Sequence, residues 1–194
     1  MAEPVDPWRT EPALQRIEKG TLYLFRDWPN PAVPAVAAGV YSVWQGRRLI
    51  YVGMAGRYLS GSDLKRYGAD MNATRGLATR LASHVAGRRS GDQFCVYIAD
   101  RLVLPTLTAA DIDAVAAGKL AMDLKIREFI CRELSYRFAV LEDGREALSL
   151  ARWARAGALR CGVPLLNPFP GPRRPTKRAE LQPTLVSVVT ECTS

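Results

Sequence analysis

Histidine is almost missing from this chain of 194 residues; His84 stands alone. A single imidazole excludes a multi-histidine metal site. Cysteine is sparse and scattered: Cys95, Cys131, Cys161 and Cys192 lie far apart, with no short spacing of a zinc knuckle or a redox pair. A core of this size needs no disulfides, so the thiols are expected to be free in a reducing cytoplasm. The N-terminus lacks a basic start followed by an apolar run, so no secretory signal is expected. Apolar runs fall well short of the roughly 20 residues of a membrane span, and no membrane partner is expected. No glycine-rich phosphate loop, Ser/His/Asp triad or internal repeat is evident.

What is present is an ordinary globular balance, 48% hydrophobic and 24% charged, enough for one core with arms. The charge is lopsided. Lys and Arg number 27 against 19 Asp and Glu, a formal +8 with a pI near 9.6. Such an excess favours a polyanion, because neutralising phosphates releases condensed counterions.

Residues 1–35, with six prolines between Pro4 and Pro34, read as an N-terminal arm in which Thr21 to Phe25 can dock as a short strand or turn. Residues 170–194 read as a basic, proline-containing tail, and Arg173-Arg174 fits a phosphate-seeking segment. The domain between them, 36–169, predicts an α+β fold, with a small mixed or antiparallel sheet flanked by helices. Val40–Trp44 and Arg48–Val52 are β-favouring runs joined by a tight turn at Gln45-Gly46-Arg47. A polar loop is expected from Met54 to about Met71. Leu77, Leu81 and Val85 recur at helical spacing and predict a helix over 74–86. Phe94–Ala99 reads as a strand. Thr108 and Asp111 predict a capped short helix broken at Gly118. Met122, Ile126, Phe129 and Ile130 mark an amphipathic helix, Tyr136–Leu141 a strand, and 145–156 a last helix.

The hairpin carries Gly39-Val40-Tyr41 on its first strand and Tyr51-Val52-Gly53 at the end of its second. The helix after it bears Arg80 and His84, four residues apart and so on one face. That pairing presents a permanently charged fork beside a titratable imidazole, which suits a phosphate. Val163-Pro164-Leu165-Leu166-Asn167 follows the last helix. With these residues the chain resembles the GIY-YIG nuclease superfamily, each tripeptide having valine for isoleucine, over Gly39 to Asn167.

The resemblance implies an endonuclease that cleaves phosphodiester bonds in nucleic acid, DNA before RNA, with one divalent ion, Mg2+ or Mn2+. It implies catalytic roles for Tyr41, Tyr51, Arg80 and His84, with Tyr41 handling the attacking water and Arg80 the charge on phosphorus. Asn167 would bind backbone or substrate, and Arg57, Arg88 and Arg89 would hold the substrate. One departure weighs against catalysis. The family carries a metal-binding glutamate on its last helix, and here Glu146-Ala147-Leu148-Ser149-Leu150 leads to Ala151 at that position. A methyl group cannot ligate Mg2+, which requires oxygen donors. Glu146 is the fallback, but five residues earlier is a rotation of about 140°. It is better read as an acid facing the helix dipole. Glu142, Glu128 and Glu133 are further candidates. The alternative to an enzyme is therefore a nuclease-derived module that binds nucleic acid without cutting it.

Overall fold

The computed structural model describes residues 7–68 and 73–167. Its central strand, β2 (Val36–Gln45), pairs antiparallel with β3 (Arg48–Ala55) on one side and β5 (Leu134–Leu141) on the other. Beyond β5 lies the two-residue β1 (Tyr23–Leu24), and β4 (Arg75–Gly76) runs parallel beside the start of β2. Gln45 pairs with Arg48, leaving a two-residue loop in which Gly46 takes φ +57, a value glycine adopts without steric cost.

Successive side chains of a strand point to opposite faces, and here both faces are covered. Val40, Trp44, Val52 and Ala139 pack under α1 (Pro7–Lys19) and α7 (Gly144–Trp153). Tyr41, Val43 and Ile50 pack under α3 (Leu77–Ala86), α4 (Gln93–Ile98) and α6 (Met122–Glu133). The result is the expected α+β class, with a largely antiparallel sheet between helical layers. The remaining helices, α2 (Gly61–Gly68) and α5 (Ala109–Ala116), bury little. No helix among the described residues is long and apolar enough to cross a membrane.

Three local expectations change. Phe94–Ala99 is helical. Asp92 caps the helix by accepting the Phe94 amide, and Phe94, Cys95 and Ile98 are buried at a helical rather than an alternating spacing. Burial on one helix face overrides the β-preference of this run. The loop after β3 contains α2, whose start is closed by reciprocal bonds between Ser60 and Asp63. Residues 7–35 are not a loose arm: Ala13 and Ile17 of α1, then Phe25 and Val33, are buried in the two apolar clusters. The larger of these, Ile17, Phe25 and Val33, each contribute roughly 1.5–3 kcal/mol of burial. The capped helix at Thr108, the apolar face of α6 and the turn into α7 stand as expected. The basic tail lies outside the described residues.

β3 is the outer strand on its side of the sheet. Its edge is covered by the segment after α7: the Leu166 amide donates to the Ile50 carbonyl at 2.8 Å, and the Val52 amide donates to the Asn167 side chain. This closure leaves a cleft at the end of β3, where the hairpin tyrosines meet α3.

Candidate active site

Tyr41 lies on the central strand directly opposite Gly53, and its ring occupies the space a side chain at Gly53 would need. A Cβ built there would collide with the Tyr41 ring and hydroxyl. Gly39 is held similarly, against the Ala139 carbonyl and Leu77. The two glycines of the tripeptides therefore answer close approaches rather than turns. Tyr51 sits beside Tyr41, with ring centroids 6.2 Å apart.

The α3 helix then brings its only imidazole under the sheet. His84 is 1% exposed, and its Nε2 lies 2.7 Å from the Tyr41 hydroxyl. Its Nδ1 lies 2.6 Å from Asp92 Oδ2. Asp92 is the N-cap of α4, and it also accepts from the Ser83 hydroxyl at 3.0 Å and the Phe94 amide at 3.1 Å. The partners define the protons. Burial pushes Asp92 upward, but the bonds from His84, Ser83 and Phe94 outweigh it and hold the carboxyl below its ordinary range. An ionised Asp92 accepts a hydrogen bond from the Nδ1–H of His84, so Nε2 carries the lone pair and accepts from Tyr41. Burial also drives His84 below its usual value, despite the raising effect of Asp92. His84 is thus a neutral base at neutral pH. Tyr41 is pushed well up by burial and by Tyr51, while Arg80 and Arg155 pull it down. The phenol is consequently protonated at rest and heads the hydrogen-bond chain Tyr41–His84–Asp92.

These groups open on a cleft of about 250 Å³ whose rim carries Arg57, Arg80 and Arg155. A larger groove of about 700 Å³, lined by the end of β3, residues 56–59 and the start of α3, shares Arg57 and Arg80 with it. Among the described residues, no buried side-chain polar atom lacks a partner.

Comparison with protein-family models, curated proteins and solved structures finds no match.

Tyr41, Tyr51, Arg80, His84 and Arg57 meet at this cleft. The other expected residues do not line it. Arg89 is paired with Asp123 at 2.7 Å, and Arg88 is exposed elsewhere on the surface. Asn167 uses its side-chain oxygen on the Val52 amide. Ala151 is fully buried in the apolar cluster with Val40, Val52 and Ala154, not turned to the cleft. The Glu146 carboxylate turns back to the Glu142 amide at 3.2 Å. Glu128, Glu133 and Glu142 are exposed outside the cleft.

A divalent ion finds no suitable donors here. Asp92 is the one carboxylate lining the cleft among the described residues, and both its oxygens are already engaged. The three guanidinium groups lining the same cleft would repel a cation. His84, Asp92 and Cys95 do place ligand atoms within 4.8 Å of one another. Those atoms are occupied: His84 and Asp92 bond each other, His84 bonds Tyr41, and the Cys95 thiol, raised by burial, donates to the His84 carbonyl. They form a closed hydrogen-bond network rather than an open coordination shell.

Sequence reasoning missed Asp92 and Arg155. Each had a signal. Gly91-Asp92-Gln93 before an apolar run is a helix-start pattern, and it follows the sole histidine closely. Arg155 lies seven residues after Leu148, on the same helical face.

Proposed function

We propose that this cleft binds and hydrolyses a phosphodiester of nucleic acid, in the manner of the GIY-YIG nucleases that the hairpin and α3 resemble. The observation that carries the reading is the hydrogen-bond chain Tyr41–His84–Asp92 opening onto a rim of arginines. In this reading a water surrenders a proton to the Tyr41 oxygen as Tyr41 passes its own to His84 Nε2. Asp92 stabilises the imidazolium that forms, as the carboxylate of a catalytic triad does. The water oxygen bonds to phosphorus, and the bond to the departing sugar oxygen breaks. That oxygen takes a proton from solvent, and His84 later releases its own. Arg80 neutralises charge on the phosphoryl oxygens. A phenol backed by a neutral imidazole suits this role, since neither group needs to be charged at rest.

The formal +8 supports a polyanionic substrate, and DNA is the first to test. The test is incubation of purified protein with supercoiled plasmid and with labelled single and double strands, beside Tyr41→Phe and Arg80→Ala. Cleavage by the parent, lost in both variants while affinity survives in Tyr41→Phe, is the expected result. A second reading, binding without cleavage, draws on Ala151 and the lack of a suitable carboxylate. Tight binding with no product under any condition would favour it.

A further inference from the structure

We propose that Arg155 serves in this cleft as the fixed cation on the phosphoryl group, so that cleavage here proceeds without a divalent ion; the inference rests on the hydrolase reading above. Arg155 follows α7, two turns beyond Leu148, and both line the cleft. Its Nε donates to the Val52 carbonyl at 2.9 Å, at the outer edge of β3. The guanidinium is therefore half-buried and anchored, not a long side chain sweeping through solvent. With Nε committed, its two NH2 groups are the donors left for a ligand, and a planar fork matches two phosphoryl oxygens.

Its charge reaches the reacting groups. Burial raises both Tyr51 and Tyr41, and Arg155 works against that rise, as the chief opposing charge at Tyr51 and a smaller one at Tyr41. A fixed cation anchored at this strand edge, beside the tyrosines, is placed to stabilise an anionic phosphorane in the cleft. Arg80 lines the same cleft. Together they supply two fixed positive charges where a metal would supply a doubly charged ion. The step stays balanced without a further reactant: water adds to phosphorus, the sugar oxygen leaves, and the proton moves through Tyr41 to His84. A metal is unnecessary for nucleophile activation because Tyr41–His84–Asp92 already takes that proton.

The experiment is cleavage of a fluorophore-labelled oligonucleotide by full-length protein in excess EDTA, compared with Mg2+ and Mn2+. Arg155→Ala, Arg155→Lys and Arg155→Gln are measured in parallel, each checked by thermal melting. Undiminished cleavage in EDTA is expected, with Arg155→Ala slowed by roughly 10²–10³-fold, the effect of removing one transition-state donor. Arg155→Lys should keep part of the rate, Arg155→Gln much less, and free guanidinium should partly rescue Arg155→Ala. A purely structural Arg155 would not respond to added guanidinium. Cleavage only with a divalent ion overturns the inference and leaves the hydrolase reading intact. EDTA-resistant cleavage unaltered in a folded Arg155→Ala removes Arg155 from the mechanism. No cleavage of any strand, with or without metal, overturns both.

Discussion

Gly53→Ala tests the geometry of the site with one methyl group. The added Cβ would lie 2.7 Å from Tyr41 Cε1 and nearer still to the ring carbon bearing the hydroxyl. Carbon atoms settle at about 3.5–4.0 Å, so the phenol must withdraw by about 1 Å or more. Its bond to His84, now 2.7 Å, then stretches beyond hydrogen-bonding range. Tyr41 is 1% exposed and His84 is equally buried, so only water within the cleft can replace the lost partner. Stranding such a pair costs about 1–3 kcal/mol, and overpacking about 1–3 kcal/mol more. At about 2–4 °C per kcal/mol for a chain of this size, Tm should fall by roughly 5–20 °C. Loss of a positioned base should slow any cleavage by about 10²–10⁴-fold. Gly61→Ala is the control, since a Cβ there meets nothing within 4 Å. Melting curves and rates are measured on both variants. If Gly53→Ala melts and turns over like the parent, the placement of Tyr41 against β3 is wrong.

The other predictions concern charge and protons. Asp92→Asn removes the charge that fixes the His84 tautomer and adds an NH2 donor, so cleavage should drop by about 10²–10⁴-fold with DNA affinity little changed; equal loss of both would make Asp92 structural only. His84 is held below its ordinary value of 6.5, so rate should rise with pH to a plateau whose midpoint lies under 6.5, and a midpoint above it in a pH–rate profile counts against the neutral-base assignment. Because Asp92 and His84 both titrate lower in the folded chain, their stabilisation is complete above their unfolded values and fades as pH falls through the folded ones, which acid melting curves can follow. Ala151→Glu should destabilise by several kcal/mol rather than create a metal site, since it buries a carboxylate among Val40, Val52 and Ala154; a stable variant with new Mg2+ dependence would reverse that view.

The elements legible in the sequence were those whose burial pattern is simple. The hairpin shows two β-favouring runs about a glycine turn, and α3 and α6 repeat their apolar residues at helical spacing. The α4 helix was hidden because Phe94-Cys95-Val96-Tyr97-Ile98 is composed of strand-favouring residues, and a distant packing surface decides its form. In α1, prolines concealed a helix: Pro7 opens it, where no amide bond is lost, and Pro12 lies inside it, while Ala13 and Ile17 keep the buried four-residue repeat. Tyr41, Tyr51, Arg80 and His84 could be read because a hairpin and the helix after it share one geometry. Asp92 could not, because its role exists only once α3 and α4 fold back on each other. The expected glutamate at Ala151 rested on order along the helix, whereas burial depends on where that helix lies against the sheet.

That placement also explains why the C-terminal part of the domain belongs to the site. An outer strand normally presents unpaired amides and carbonyls that invite another chain to pair. In β3 the Val52 amide is taken by Asn167 and the Val52 carbonyl by Arg155. Both neighbours of this residue, Tyr51 and Gly53, bear on where the phenols of the cleft sit. A single backbone unit thus links the segment after α7 to the ring positions of Tyr41 and Tyr51. Asn167 meets the cleft through this backbone, and it supports the strand to which Arg155 is anchored. The edge closure and the electrostatics of the cleft are therefore one structure: the residues that prevent β3 from pairing with a second chain also hold a positive charge beside its tyrosines.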